Sequence, residues 1–166
     1  MSEQTIYNHY GSKAELVRAL IERRTRSISA PLDAPAADAH PEQALAAYAR
    51  KLLEAIVLER SVALVRLLIA SAPHSAAMAR AVLPGGPRAM LPGGPRAMLT
   101  SFLERESRTG RLAIPDAREA ADFFAGMVIS HHQLHSLLGL PSELTAGRIE
   151  RIAGEAARRF VRAYAV

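Results

Sequence analysis

Thr5-Ile6-Tyr7-Asn8-His9-Tyr10-Gly11-Ser12-Lys13 is the stretch whose reading decides the fold of this chain. It belongs to a short helix predicted over 2–10, with Ser2 as N-cap and Gly11 as the stop. Ser12-Lys13-Ala14-Glu15 is a capping box, in which the Ser hydroxyl and the Glu carboxylate satisfy each other's free backbone donors and restart a helix. That second helix is predicted to run to about Arg26, with Leu16, Val17, Leu20 and Ile21 on one face. The chain therefore begins with two helices joined by one tight turn.

Helical spacing continues outward from there, and Val/Ile/Thr clusters with period-two alternation are absent. Ser29 to Pro41 holds Pro31, Pro35 and Pro41 among Ala and Asp and reads as a linker. Pro41 suits the first position of a long helix whose buried stripe is Leu45, Tyr48, Leu52 and Ile56. From Leu52 to Ala72 the chain is apolar nearly all round, which predicts one central helix, or two joined near Glu59-Arg60-Ser61. A short helix is expected around Ser75 to Val82. Leu-Pro-Gly-Gly-Pro-Arg-Ala-Met then occurs twice in succession, at 83–90 and 91–98. Each copy breaks a helix, so the repeat reads as a local duplication that lengthens one loop, at a slowly growing entropic cost. Helix resumes after Pro95, with Met98, Leu99, Phe102, Leu103 and Glu106 at helical spacing and Gly110 as the stop. Two long helices follow, about Asp116 to Leu138 and Glu143 to Tyr164, separated by Gly139 and Pro141.

Composition narrows the function classes. The chain has 166 residues, 49% of them apolar and none of them Cys. That length buries a real core. The lack of Cys excludes disulfides, thiolate zinc sites and a thiol nucleophile within this sequence. No membrane span and no signal peptide are evident, so the cytoplasm is the expected location. The net charge is +5, carried almost entirely by Arg, as expected for an anionic partner such as nucleic acid.

The nine residues from Thr5 to Lys13 resemble the recognition-helix end of the TetR family of bacterial transcriptional regulators. The shared pattern is Thr, an aliphatic residue, Tyr, any residue, His or Tyr, an aromatic residue, any residue, Ser or Asn, then Lys. The resemblance implies an all-α chain: a partial helix-turn-helix head over 1–27, followed by a helical ligand-binding and dimerisation domain of the TetR type over 28–166. It implies DNA contacts at Gln4, Thr5, Tyr7, His9 and Lys13, with Thr5, His9 and Lys13 on phosphates and Gln4 and Tyr7 nearest the bases. Ile6 and Tyr10 would face inward. A recognition helix reads the major groove through its N-terminal part, where short polar side chains reach base edges.

The family places two further helices before this motif. A helix of fewer than about 12 residues is marginal alone in water, so the 166 residues by themselves are expected to bind DNA poorly. The implied function is a ligand-responsive repressor that recognises an operator on double-stranded DNA as a homodimer. The alternative is a non-DNA-binding dimerisation or small-molecule-binding module derived from such a regulator. The last two helices would pair with their copies across a two-fold axis, helped by Gly147, Ala153, Gly154, Ala156 and Ala157. A small apolar or aromatic effector is expected, with Leu67, Met78, Phe102, Phe123 and Met127 as lining residues. No cofactor and no metal are expected. His131 and His135 stand one helical turn apart as in some zinc sites, but the sequence around them lacks a third ligand and the HExxH pattern. With no nucleophile elbow, P-loop, dinucleotide fingerprint or catalytic carboxylate pair, the chain is not expected to be an enzyme.

Overall fold

The computed structural model describes residues 13–34, 37, 40–71 and 94–166. The helix predicted over 2–10, the short helix around Ser75 to Val82 and the first copy of the repeat lie outside these residues. Seven α-helices are described: α1 (Lys13–Ser29), α2 (Pro41–Val57), α3 (Glu59–Ser71), α4 (Pro95–Arg108), α5 (Ala117–Ile129), α6 (His132–Leu138) and α7 (Ala146–Ala163). There is no strand among the described residues, and the chain is all-α.

Helix α2 is the shared wall. It packs most extensively along α7 and also touches α1, α3, α5 and α6. Small side chains allow the close α2–α7 approach: Ala44 and Ala49 on α2, and Ala153, Ala156 and Ala157 on α7, are all buried. Around them Tyr48, Phe124 and Phe160 form an aromatic stack. Phe124 meets Phe160 edge-on at 5.1 Å and Tyr48 at 6.3 Å. Tyr48 also donates its hydroxyl to the Pro95 carbonyl at 3.1 Å, so the second copy of the repeat contributes the first turn of α4 and anchors it to α2.

Three expectations change. The described part of the stretch predicted as a linker is structured: α1 runs on to Ser29, a 3-10 turn follows over Ala30–Leu32, and Leu32 and Ala37 are buried. Pro31 follows the end of the helix without releasing the chain there, because Leu32 is buried in the core and its carbonyl accepts from Arg105 at 2.9 Å. The helix predicted from Asp116 to Leu138 is two helices. Ser130 takes φ 43° and ψ −134°, breaking the ladder between α5 and α6. Such a conformation costs on the order of 1–3 kcal/mol for a residue other than Gly. The bend turns α6 onto α2 and α3 and buries His132, which supplies the compensation. The small residues Ala153, Ala156 and Ala157, read as permitting approach of a partner, are spent inside the chain against α2. The central apolar run is two helices, parted at Leu58, whose carbonyl accepts from Ser61 and Val62 to start α3.

Both left-handed glycines among the described residues close Schellman motifs. After α4, Gly110 (φ 70°) donates to the Ser107 carbonyl and Arg111 to the Glu106 carbonyl, each at 3.0 Å. The side chains at these last two positions, an apolar pair in most such motifs, are here an ion pair: Arg111 donates to the Glu106 carboxylate at 2.7 and 3.3 Å, and Glu106 is wholly buried. After α6, Gly139 (φ 75°) donates to Ser136 and Leu140 to His135.

Candidate functional site

Gln4, Thr5, Tyr7 and His9 lie outside the described residues, while Lys13, the last residue of the motif, is the first residue of α1. Eleven residues further along, α1 reaches a cavity of about 550 Å³ between α1, α2 and α3. The span from Lys13 to Arg24 is about 16 Å at the helical rise. From α1 the cavity takes Arg23, Arg24, Ser27 and Ile28. From α2 it takes Lys51, Glu54 and Ala55. Leu58 comes from the junction, and Arg60, Ser61 and Leu64 from α3. Its size falls in the ordinary range for small-molecule sites.

The walls of the cavity are mixed. Ile28 and Ser61 are buried, and Ala55 and Leu64 are half-buried. Lys51 pairs with Glu54 at 3.2 Å. Arg24 is half-buried and donates to the Ala55 carbonyl at 3.4 Å. Burial pushes its guanidinium pKa below the usual arginine value, because a desolvated cation is less stable than a hydrated one.

Of the five residues expected to line a pocket, the four that are described, Leu67, Phe102, Phe123 and Met127, do not border this cavity. Phe102 is 1% exposed and sits in the core; Leu67, Phe123 and Met127 are 43, 57 and 43% exposed; Met78 lies outside the described residues. Phe123 and Met127 share a face of α5, one turn apart, and that face points outward. Leu134 and Leu138 repeat the pattern on α6 and are also exposed. The cations Arg23, Arg24 and Arg60 escaped the sequence reading. Arg23 and Arg24 were not singled out on their helix, and Glu59-Arg60 read as a break in an apolar run. The available signal was the placement of Arg24 four residues before the inward Ile28.

The histidines do converge. The His131 ring lies 4.3 Å from that of His132 and 4.8 Å from that of His135. No group of three potential ligands is arranged to hold a metal ion among the described residues. His132 has its pKa lowered, first by burial and then by the neighbouring His131, Arg148 and His135, with Glu143 opposing. The outer face of α7 is charged: Glu155 bonds Arg158 and Arg159, and Arg151 and Arg162 are exposed. No helix of the described residues is long and apolar enough to cross a membrane.

Comparison with known proteins follows this architecture. A family model, the AefR-like transcriptional repressor C-terminal domain of the TetR type, matches residues 43–166. A flavonoid-responsive regulator, FrrA, superposes with a TM-score of 0.71 at 28% identity, over 99% of this chain and 81% of its own. Two further structures share the fold. A protein from Mesorhizobium loti assigned to the TetR family has a TM-score of 0.72 at 21% identity, over 99% of this chain and 81% of its own. A TetR transcriptional regulator from Agrobacterium tumefaciens has a TM-score of 0.68 at 24% identity, over 100% of this chain and 79% of its own. No curated protein sequence matches.

Proposed function

The chain belongs to the TetR family of transcriptional regulators, and from that premise we propose that it acts as a ligand-responsive, DNA-binding repressor working as a homodimer. The observation that carries the reading is the position of the cavity. It is built partly from α1, the helix that begins at the last residue of the Thr5–Lys13 motif. A ligand that fits better in one tilt of α1 than another shifts the population of head orientations, and hence operator affinity. By linkage, operator binding changes ligand affinity by the same factor.

The second copy meets the first through the outward face of α5 and α6, where Phe123, Met127, Leu134 and Leu138 stand exposed. A symmetric dimer brings two recognition helices to two half-sites. In this reading residues 1–27 belong to the head and lend Arg23, Arg24 and Ser27 to the cavity, and 28–166 form the ligand-binding and dimerisation domain. Gln4 and Tyr7 read bases, while Thr5, His9 and Lys13 hold phosphates.

The test is selection from a random duplex pool, using the chain preceded by the two helices that the family places before the motif. The expected result is a two-fold symmetric site, bound more weakly as salt rises and lost in His9→Ala. Failure to enrich any site at low salt refutes the reading.

A further inference from the structure

The cavity between α1, α2 and α3 is not built for a purely apolar occupant. Its apolar wall is Ile28, Ala55, Leu58 and Leu64, but its polar groups are mostly positive. Glu54 is its single carboxylate, and that charge is taken by Lys51 at 3.2 Å. The guanidiniums of Arg23, Arg24 and Arg60 remain. Among the described residues none of the three has a carboxylate within ion-pairing distance. Arg24 is the telling one. It is half-buried, and its described acceptor is a backbone carbonyl at 3.4 Å. A guanidinium has five N–H donors and no acceptor, so most of its hydrogen-bonding capacity is unused by described protein groups. A cation withdrawn from water without a counter-charge is a cost to the fold that a bound anion removes. Three guanidiniums beside an aliphatic wall suit one planar carboxylate joined to an apolar body, since the guanidinium fork matches a carboxylate in a bidentate manner.

We propose that the cavity binds an amphiphilic organic acid: a carboxylate held by Arg24 with Arg23 and Arg60, and an aromatic or acyl body lying against Ile28, Leu58 and Leu64. This rests on the regulator reading of the same cavity and narrows its effector class. The effector is not simply apolar, as the sequence suggested, but carries one negative charge. A duplex phosphate backbone is a poorer fit for the site, because Arg24 is half-buried in a recess that it shares with Ile28, Ala55, Leu58 and Leu64.

The test uses the whole chain and titration calorimetry with three probes: 2-naphthoate, 2-naphthalenemethanol and inorganic phosphate. At neutral pH and low salt, naphthoate is expected to bind at least about tenfold more tightly than the matched alcohol, and phosphate to show no saturable binding. Arg24→Gln and Arg60→Gln should each reduce the acid-over-alcohol preference to under about threefold while leaving alcohol affinity unchanged. Arg23→Gln, at an exposed position, should reduce the preference in the same direction, and supplies a variant whose fold is not in question.

Equal affinity for acid and alcohol overturns the proposal, as does phosphate binding as tight as naphthoate, a preference that survives all three substitutions, or no binding of either aromatic probe. Alcohol binding without acid preference leaves the regulator reading of the cavity standing while removing the charge. Failure of the operator selection removes the regulator reading whatever the acid does.

Discussion

Arg111→Met is the substitution whose effect follows most directly from the geometry. Glu106 has no exposed side-chain surface, and Arg111, about one-third exposed, donates two hydrogen bonds to it at 2.7 and 3.3 Å. Removing the guanidinium leaves a carboxylate in the core with no counter-charge, a loss of about 3–5 kcal/mol. At about 2–4 °C per kcal/mol for a domain of this size, the melting temperature should fall by about 6–20 °C. Glu106→Leu alone removes the buried charge and leaves Arg111, whose side chain is already 36% exposed, so it should cost less. The double variant Glu106→Leu/Arg111→Met removes both charges together and should lie within about 1 kcal/mol of the parent, since a buried pair roughly balances its own desolvation. Urea unfolding of the four proteins closes a double-mutant cycle. A single Arg111→Met loss under about 1 kcal/mol, or a double variant less stable than Arg111→Met, refutes the assignment of this pair as a charge-compensated core element.

Three further outcomes are expected. Phe123→Glu with Met127→Glu should convert a dimer to monomers by light scattering while moving the melting temperature little, because both side chains are exposed in the single chain; a dimer that persists places the interface elsewhere. Gly110→Ala should destabilise by about 1 kcal/mol in chemical denaturation, through φ 70° alone, as nothing lies within 4 Å of the added methyl; no loss would mean the turn relaxes. His132 is held below its ordinary pKa of about 6.5, so the unfolded chain binds more protons there. Stability is then full above about pH 6.5 and falls as pH drops towards the folded-state value. His132→Asn should flatten that part of the melting-temperature profile, and an unchanged slope would show that the burial of His132 carries no proton linkage.

Most helices were legible because their information is local. The stripe Leu45, Tyr48, Leu52 and Ile56 fixes one face of α2, and Pro41, Pro95 and Gly110 mark ends that backbone chemistry imposes. Leu32 and Ala37 were not legible, since prolines announce the end of a helix but say nothing of where the next residues pack. The bend at Ser130 was hidden for a related reason: periodicity runs through it unbroken, and only the docking of α6 on α2 and α3 makes the strain worthwhile. The cavity was the hardest to see. Phe123 and Met127 are apolar and helical in spacing, which marks a face but cannot distinguish inward from outward. Arg23, Arg24, Arg60 and Lys51 come from three helices, and nothing in their one-dimensional order brings them together.

The pairing of α2 with α7 has a consequence for synthesis of the chain. Arg50 meets Glu150 across this contact, 100 residues later. At about 5–20 residues per second, that separation means about 5–20 s during which α2 has been made and its main partner has not. For that interval Leu45, Leu52, Leu53 and Ile56 have no α7 to cover them, and contacts of such long sequence separation are slow to form. Until α7 leaves the ribosome, the nascent chain therefore lacks the helix that packs most extensively on α2, and docking of the last helix is the step that completes the core.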